Sequence, residues 1–470
     1  MIFPNERGIV KGMEKKGLHI IIVGCGKVGR SLTAQLRKEN HDITLIDRDA
    51  SKLSDMENLY DIMSVNGNGA SYSVLEEAGL ENADLLIAVT GSDELNLLCC
   101  TVAKRAANCA AIARVRDPDY SVDAEYIREK LGLAMIVNPE LEMAREISYM
   151  LTLPIALDVN TFAGGRSEIV RIKIEEGNAM IGKRLQDFGK KIVGMVLICA
   201  VERDGDVYIP SGSFEIRKGD IVSFVTERRL AQKVFHSVGF KTGQVRSAMI
   251  IGGGKGGYYL ARRLINRGVE VKIIEKRKSR CEELAGTLHN AIIINGDALS
   301  TDLLREEGIE YVESIIPLTG IDEQNIFLTL YGKMQNQTAK TVTRISRMQF
   351  REVLPALDLG SIVDPKAVTA EEIIAYVRAK NNSRGEEIET LYHLYDERVE
   401  AIEFRVGDAP DVTGTKLMDL QLKDNLLIAC INRNESVIIP GGSDMILPGD
   451  RVMVVTTHLG MTEISEILAD

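Results

Sequence analysis

The chain has no tryptophan, few other aromatic residues and only six histidines among 470 residues. Phe and Tyr together make up 5% of it, so its core must consist mainly of Ile, Val, Leu and Ala. None of the histidines adjoins a nucleophile or a cluster of metal-type ligands: His19, His41, His236, His289, His393 and His458. We therefore expect them to be structural or solvated, and the sequence predicts no catalytic residue.

The cysteines are also few and show no pattern of a metal site. They form no C-x-x-C pair and no zinc-type spacing: Cys25, Cys99, Cys100, Cys109, Cys199, Cys281 and Cys430. Zinc ligands usually come in such closely spaced pairs. The sequence therefore predicts no metal site, and reduced, mostly buried thiols as in a cytosolic protein.

Long hydrophobic runs and excess positive charge are missing as well. The apolar run 192–201 falls well short of the roughly 18 residues that span a bilayer, so we do not expect the chain to form a membrane pore. Residues 1–17 mix Pro, Gly and charges, and we expect them to be a flexible extension. A formal net charge of -11 opposes binding to nucleic acid. The densest basic segment, 275–280, follows a predicted strand.

Two local signatures of enzymes are absent from the sequence. No G-x-x-x-x-G-K-[ST] loop occurs, and neither does a G-x-S-x-G turn. The first absence argues against a P-loop nucleotide hydrolase, and the second argues against an α/β-hydrolase.

What the sequence does contain is a long internal repeat. The run Ile21 to Gly29 returns as Met249 to Gly257, and each copy is an apolar strand that leads into G-x-G-x-x-G. The echo continues downstream, where Asp47 is matched by Glu275 and Arg114 by Arg344. A repeat of more than 200 residues indicates a duplicated set of domains, because solenoid repeats are only about 20 to 50 residues long.

Strand and helix patterns alternate in the first part of each copy, which is typical of a parallel sheet built from βαβ units. The strands predicted in the first copy are 19–23, 43–46, 62–65, 85–89, 111–115 and 135–137, and the helices are 27–39, 71–78, 94–106, 119–131 and 140–151.

Short strands with frequent Gly and Pro follow, at about 168–225 and 399–457, and Ile209-Pro210-Ser211-Gly212 is echoed there by Ile439-Pro440-Gly441-Gly442. We therefore predict an α/β protein with two doubly wound Rossmann domains, each followed by a small β-rich α+β domain. The predicted domains are 18–158, 159–240, 246–383 and 384–470.

The first G-x-G-x-x-G predicts a nucleotide site. Gly24 permits the tight turn, Gly26 lets a pyrophosphate approach the backbone, and Gly29 lets the helix pack on the sheet. The helix then offers free N–H groups to phosphate. Asp47 ends the second strand, where a carboxylate accepts hydrogen bonds from an adenosine ribose, which favours NAD(H) or an adenine nucleotide over NADP. The alternative is that the glycines serve chain geometry alone.

The second copy predicts a similar site with different surroundings. Gly252, Gly254 and Gly257 repeat the loop, and Glu275 can hold a ribose. The following basic residues, 276–278, could offset the repulsion of a ribose phosphate, and the tyrosines 258–259 add bulk beside the loop.

Further residues recur at the ends of later strands. Asn68 and Asp297 could meet an adenine edge or cap the next helix. Thr90 and Thr319 end the fourth strand, where ligands lie in such folds, or they take part in helix capping. Arg114 and Arg344 could neutralise phosphate or pair with a carboxylate. The candidate set also includes neighbours in the first copy: Cys25, Lys27, Val28, Arg48, Gly91 and Glu94.

Duplicated Rossmann units that alternate with small β-rich domains resemble the regulatory subunits of bacterial and archaeal Trk potassium-uptake systems. These belong to a TrkA-like family of tandem RCK (regulator of potassium conductance) domains. The likeness runs from Leu18 to the end of the chain and rests on the glycine loops, Asp47, Thr90-Gly91, Arg114 and the Pro-x-Gly and Gly-Asp elements of the small domains.

The resemblance implies a nucleotide-sensing protein that responds to NAD(H), or to ATP and ADP. It implies a cytoplasmic homo-oligomer, a tetramer with a ring of eight RCK domains, at the inner face of the membrane beneath a TrkH-like potassium-translocating subunit. The family usually has Gly-Asp where this chain has Asn68, so the two halves can differ in ligand. Two alternatives stay open: an NAD-dependent oxidoreductase with two cofactor sites, and a scaffold whose clefts stay empty.

Overall fold

The structure is a computed structural model that describes residues 17–107, 109–188, 195–240, 243–346, 353–381, 387–407 and 409–469. Nearly all of the predicted N-terminal extension lies outside these ranges. Contacts between residues divide the chain into two units, 1–114 with 124–136 and 115–123 with 137–470. We describe each unit by itself.

The first unit contains a parallel sheet with the strand order β3-β2-β1-β4-β5-β6. Its strands are β1 (His19–Val23), β2 (Asp42–Asp47), β3 (Met63–Asn66), β4 (Leu85–Ala88), β5 (Ala110–Arg114) and β6 (Met135–Val137), the last residue of which belongs to the second unit. The apolar residues of β1 and β4 are fully buried because both strands lie at the centre of the sheet. This order is that of a doubly wound dinucleotide-binding sheet, which confirms the predicted fold class.

The helices between these strands are α1 (Lys27–Lys38), α2 (Ala50–Leu59), α3 (Tyr72–Glu77), α4 (Asp93–Ala106), α5 (Pro118–Val122) and α6 (Ala124–Leu131). The predicted helix 119–131 was wrong as a single element, because Asp123 has φ -103° and ψ 16° and separates α5 from α6. The sequence pattern also missed α2.

The second unit begins with residues 115–123 and continues from residue 137. Helix α7 (Pro139–Met150) leads into a five-stranded antiparallel sheet with the order β10-β9-β11-β8-β7. Its elements are β7 (Ala156–Phe162), β8 (Ser167–Lys173), β9 (Val196–Arg203), β10 (Asp206–Tyr208), β11 (Ile221–Glu227) and helix α8 (Ala231–Ser237). Strand β7 begins three residues before the domain boundary predicted at residue 159.

The second Rossmann sheet has the order β14-β13-β12-β15-β16-β17, the same as the first. Its elements are β12 (Ser247–Ile251), α9 (Lys255–Ile265), β13 (Glu270–Glu275), α10 (Lys278–Thr287), β14 (Ala291–Asn295), α11 (Thr301–Glu306), β15 (Ser314–Pro317), α12 (Asp322–Gln335), β16 (Lys340–Arg344), β17 (Ser361–Val363) and α13 (Pro365–Asn381). Apolar residues of α7, the first small sheet and this domain form one continuous core.

A second antiparallel sheet completes the chain, with the order β18-β19-β22-β20-β21. Its strands are β18 (Glu387–Leu394), β19 (Val399–Arg405), β20 (Leu426–Arg433), β21 (Ser436–Ile438) and β22 (Arg451–Thr456). The aspartate of the repeated Gly-Asp element pairs with an arginine in both small sheets. Asp220 accepts hydrogen bonds from Arg203, and Asp450 accepts them from Arg433, at 2.7–2.8 Å.

The two small sheets pack against each other through their hairpins. The tip of the β18–β19 hairpin carries Tyr395, whose φ of 53° turns the buried side chain into the first small sheet. Its hydroxyl lies 2.6 Å from Ser223 Oγ and 3.2 Å from the carbonyl oxygen of Ile221. In return, Ala163 N of the β7–β8 hairpin donates to Glu403 Oε2 at 2.9 Å. Each sheet therefore satisfies buried polar groups of the other.

We expect Tyr395→Phe to lower the free energy of unfolding by about 1–3 kcal/mol, because the buried Ser223 hydroxyl loses its partner. Chemical denaturation of the full chain measures this change. Tyr208→Phe is the matched control, since Tyr208 is exposed and should cost less than about 0.5 kcal/mol. Equal stability of the two variants would contradict the interpretation.

Candidate nucleotide sites

The loop between β1 and α1 contains three glycines that the structure requires for different reasons. Gly24 has φ 111°, and a Cβ there would lie 3.0 Å from Thr90 N. A Cβ on Gly29 would lie 1.9 Å from the carbonyl oxygen of Gly24. These two positions need glycine for the turn and for packing of the helix. Gly26, in contrast, has an ordinary φ of -79° and no atom within 4 Å of a Cβ built on it.

The middle glycine of the second loop behaves in the same way. Gly254 has φ -63°, and no atom lies within 4 Å of its virtual Cβ. Neither a positive φ nor packing within the described residues therefore requires glycine at positions 26 and 254. The missing side chains leave room for a ligand to approach the backbone closely. Both glycines also occupy helix N-cap positions, where glycine is favoured.

Both helices that follow the loops begin without a side-chain cap. The N-cap residues are Gly26 for α1 and Gly254 for α9, and neither first turn holds an acidic residue. The first N–H groups of such a helix point outwards and carry partial positive charge. Both loops can therefore receive a phosphate.

The acidic residues at the ends of β2 and β13 are fixed beneath these loops. Asp47 Oδ2 accepts a hydrogen bond from Cys25 N at 2.6 Å, and Oδ1 accepts one from Asp49 N at 2.9 Å. Glu275 Oε2 accepts from Gly253 N at 2.9 Å, and Oε1 accepts from Arg277 N at 2.9 Å. Glu275 Oε1 also accepts from Arg277 Nε at 3.2 Å. Both oxygens of Asp47 and Oε2 of Glu275 keep a second lone pair, so both carboxylates are placed to accept a further hydrogen bond from a ribose hydroxyl.

Glu275 is ionised in this position. Burial acts to raise the pKa of its carboxyl group, but the N–H groups of Arg277 and Gly253 outweigh burial and lower it. An ionised carboxylate accepts hydrogen bonds and has no proton to donate. Glu275 therefore suits a ribose diol better than a role as general acid.

Asn68 and Asp297 do not cap the helices that follow them, so that interpretation was wrong. The N-cap residues are Ser71 for α3 and Ser300 for α11. Asn68 Oδ1 accepts from Ala70 N at 3.3 Å, and Asp297 makes the matching turn with the N–H of residue 299. Asp297 also pairs with Lys276 at 2.8 Å, whereas Asn68 has no charge for such a pair.

A buried asparagine that the sequence analysis missed organises the end of the fourth strand in each copy. Asn96 Oδ1 accepts from Thr90 Oγ1 at 2.7 Å, and Asn96 Nδ2 donates to the carbonyl oxygen of Arg114 at 2.8 Å. Asn325 makes the same bonds with Thr319 and Arg344. The repeat could have revealed them, because Asp-Glu-x-Asn follows both threonines.

The remaining predicted residues of the first copy surround this frame. Arg114 donates to the carbonyl oxygen of Thr90, and Glu94 accepts from Ser92, the residue that caps α4. Besides Gly24 and Gly29, two further predicted residues are buried, Cys25 and Val28, and five are exposed: Gly26, Lys27, Arg48, Gly91 and Glu94. The buried ones support the loop, and the exposed ones are accessible to a ligand.

Six of the seven residues predicted for the second site line one cleft of about 380 Å³: Gly252, Gly254, Glu275, Asp297, Thr319 and Arg344. A volume of this size is ordinary for a small-molecule site. Gly257 lies beneath the loop instead, where a Cβ would be 2.2 Å from the carbonyl oxygen of Gly252. Arg277 and Lys276 also line the cleft.

Two observations concern other kinds of site. Within the part of the chain that the structure describes, no group of three or more His, Cys, Asp or Glu is arranged to hold a metal ion. Among the same residues, no helix is long and apolar enough to cross a membrane.

Comparison with known proteins decides the family. The TrkA-N domain family matches residues 20–139 and 248–365, and the TrkA-C domain family matches residues 169–239 and 401–469. The Trk system potassium uptake protein TrkA homolog 1 of Methanosarcina mazei is 31% identical over 455 residues, which cover 95% of this chain and 99% of the relative. The chain belongs to the TrkA family.

Solved structures show the same fold for this TrkA-family chain. A structure of the GsuK channel bound to NAD covers 94% of this chain and 77% of its own, with a TM-score of 0.62 and 19% identity. A structure of GsuK bound to ADP covers 77% of this chain and 69% of its own, with a TM-score of 0.51 and 18% identity. Each TrkA-N match contains one glycine loop with its acid and arginine, and each TrkA-C match covers most of one small sheet.

Proposed function

We propose that this chain is a cytoplasmic regulatory subunit that senses a nucleotide and gates a membrane potassium-uptake protein. The observation that supports the proposal is the pair Gly26 and Gly254, where the open space beside each glycine lets a ligand approach the backbone at the start of a helix. Each glycine lies beside a fixed carboxylate, Asp47 or Glu275. A relative named as a Trk system potassium uptake protein supports the role in potassium transport.

The proposed ligand is an adenine nucleotide, NAD(H), ATP or ADP. A carboxylate beneath the loop favours a ribose with free hydroxyls. Structures of the same fold are bound to NAD in one case and to ADP in another. We propose that the twenty residues predicted from the sequence form the two sites, within the four predicted domains, the first small domain beginning with β7 at Ala156 instead of at residue 159. The nucleotide acts there as an effector and not as the co-substrate of an oxidoreductase.

We propose further that the chain works as a homo-oligomer, a tetramer with a ring of eight RCK domains beneath a TrkH-like subunit. A ligand changes the state of such a ring only if it binds one state more tightly than the other. Couplings of this kind are typically about 1–3 kcal/mol. That is enough to change a transport rate severalfold, without any chemical change in the nucleotide.

Asp47→Asn tests the proposal. We expect it to weaken NADH or ADP binding at the first site on the order of tenfold to a hundredfold, because the ribose loses charge-assisted hydrogen bonds. The amide still accepts one of the two backbone N–H bonds that fix the loop. Calorimetry on the full chain measures affinity, and potassium flux in reconstituted vesicles measures the response to nucleotide.

Asp61→Asn is the matched control, because it removes the same charge from a fully exposed side chain at the end of α2. It should leave both affinity and flux unchanged. An Asp47→Asn chain that binds and responds like the wild type would overturn the proposal. Oxidation or reduction of NAD(H) by the wild-type chain with a metabolite would instead favour the oxidoreductase.

A further inference from the structure

The segment that follows Arg114 in the chain contacts the second glycine loop. Residues 115–123 belong to the second unit, together with the whole of the second Rossmann domain. Lys255 is the first residue of α9, directly after Gly254, and its Nζ lies 2.9 Å from Asp117 Oδ2. A residue of the first Rossmann repeat thus pairs with the lysine that directly follows Gly254 in the second loop.

A second contact fixes the segment one helical turn further along α9. Tyr259 follows Lys255 by four residues, so both side chains lie on the same face of the helix. The buried Tyr259 hydroxyl donates to the carbonyl oxygen of Arg116 at 3.0 Å, and it lies 2.8 Å from Ser121 Oγ. Asn138 Nδ2 donates to the same hydroxyl at 3.1 Å. From the sequence alone, this tyrosine was expected only to add bulk beside the loop.

The ion pair between Lys255 and Asp117 is partly exposed, so a ligand can replace Asp117 as the partner of Lys255. The contacts of the Tyr259 hydroxyl are buried and are not accessible to a ligand. The side chains of Lys255 and Asp117 are 36% and 37% exposed. The hydrogen bond from Lys255 is the main cause that lowers the pKa of Asp117, and the charge of Arg280 acts in the same direction. Arg280 Nε in turn donates to the carbonyl oxygen of Gly253 in the loop, at 2.7 Å. Asp117 therefore lies among cations at the end of the helix that receives phosphate.

The sequence provides this arrangement for the second site only. Lys27 and Lys255 occupy the same place after the two loops, but Ser31 stands where the second copy has Tyr259. Three residues after Arg344, at the place that Asp117 has after Arg114, stands an arginine that lies outside the described residues. The two sites are therefore expected to differ in their electrostatics.

We propose that Asp117 is a specificity residue of the second nucleotide site, where it competes with ligand phosphates for Lys255. This inference rests on the proposed function of that site. Each added phosphate increases repulsion from Asp117 and attraction to Lys255, so the pair disfavours nucleotides of higher charge until the Lys255 ammonium turns to the ligand. By linkage, a bound phosphate weakens the hold of Lys255 on segment 115–123 by the same factor.

The test measures binding to the full chain in an Asp47→Asn background, in which the first site is weakened. We expect Asp117→Asn to tighten ADP binding about two- to fivefold, the range that a half-exposed ion pair supplies. AMP should change less and ATP more. Asparagine keeps the turn to Asp119 N and the helix-capping role of Asp117, so α5 should stay folded.

Two further variants control the measurement. Asp119→Asn removes an equal charge two residues away, where the side chain is exposed, and should leave ADP affinity unchanged. Lys255→Met should weaken ADP binding and make the effect of Asp117→Asn on it smaller, because only the relief of repulsion from Asp117 is then left. An Asp117→Asn effect as large in the Lys255→Met chain as in the chain with Lys255 would overturn the competition.

Hydrogen exchange gives an independent readout on the chain without substitutions. Saturating ADP should speed exchange of the amides of residues 115–123, because their ion-pair anchor is weakened, while the Tyr259 contact limits the change. Slower or unchanged exchange would overturn the inference. If no ADP binds to the Asp47→Asn chain, the second site itself fails. If ADP binds and Glu275→Gln abolishes binding, but Asp117→Asn changes nothing, only the role of Asp117 fails.

Discussion

Glu400→Gln should lower the free energy of unfolding by about 3–5 kcal/mol, because it removes the negative charge that compensates a buried arginine. The Arg378 and Glu400 side chains are 3% and 1% exposed. Arg378 Nη2 donates to Glu400 Oε1 at 2.8 Å, and Nη1 donates to Oε2 at 3.1 Å. Gly460 N donates to Oε2 as well, at 2.9 Å. The pair links helix α13 to the second small sheet.

His393 also contacts the Glu400 carboxylate, and its pKa depends on the charge of that group. Burial acts to lower the pKa of His393, but the carboxylates of Glu371 and Glu400, at 3.8 and 3.3 Å from its two ring nitrogens, outweigh burial and raise the pKa to about 9. Burial acts to raise the pKa of Glu400, yet hydrogen bonds from His393 and Arg378 lower it to about 2. The stability from Glu400 is thus present above pH 4.5 and lost as the pH falls through about 2. The stability from His393 is present below pH 6.5 and lost as the pH rises through about 9.

Urea denaturation of the full chain at pH 7 measures the loss, and NMR titration of His393 measures its pKa, which should fall in the variant. Glu435→Gln is the matched control, because Glu435 pairs with Arg166 on the surface and is 84% exposed. The double variant Glu400→Gln with Arg378→Met should regain part of the loss, since the buried charge is then removed. A Glu400→Gln chain as stable as the control would refute this account of the pair.

Most of the fold could be predicted because local patterns coincide with it. The buried apolar run of β1 ends at a glycine turn, and the same sequence pattern occurs twice. Both Rossmann sheets can therefore be predicted from one pattern. Helix α2 was missed for a local reason as well. Its only buried residues are Leu53 and Met56, so its apolar stripe is too short to show a helical period.

The rest of the candidate sites depends on tertiary contacts that spacing does not encode. Asn96 forms hydrogen bonds with residues at the ends of two different strands, Thr90 and Arg114. These partners are 6 and 18 residues away from it in the sequence. Asp117 and Lys255 are 138 residues apart, and nothing local to either one indicates a partner in the other repeat. A repeat shows which residues recur, but it does not show which copies contact one another.

Two equivalent glutamates of the small sheets also have surroundings that the repeat does not predict. Glu168 on β8 pairs in register with Thr226, and Glu400 on β19 pairs with Thr456, so the glutamates occupy the same place. Both are nearly completely buried. Glu400 faces an arginine and His393, whereas the position across from Glu168 on β7 is Thr161. One repeated glutamate therefore faces a histidine on the neighbouring strand, and the other faces a threonine.

Glu168→Gln should stabilise the protein by up to about 3 kcal/mol at pH 8 and have little effect at pH 5. Burial raises the pKa of Glu168 to about 7, although the charge of Arg228 acts to lower it. Between pH 4.5 and about 7 the folded chain keeps a proton that the unfolded chain releases. The unfolded state then binds fewer protons, so the stability of the wild type falls as the pH rises through this window.

Glutamine has no proton to lose, so this part of the pH dependence should vanish in the variant. Urea denaturation at pH 5, 6, 7 and 8 gives the two curves, which should coincide at the low end and diverge with a slope of about 1 kcal/mol per pH unit. Glu176→Gln is the control, because that side chain is 83% exposed and should leave the curve unchanged. Parallel curves for Glu168→Gln and the wild type would mean that Glu168 is already ionised at pH 5, and that Arg228 or another cation compensates it as fully as Arg378 compensates Glu400.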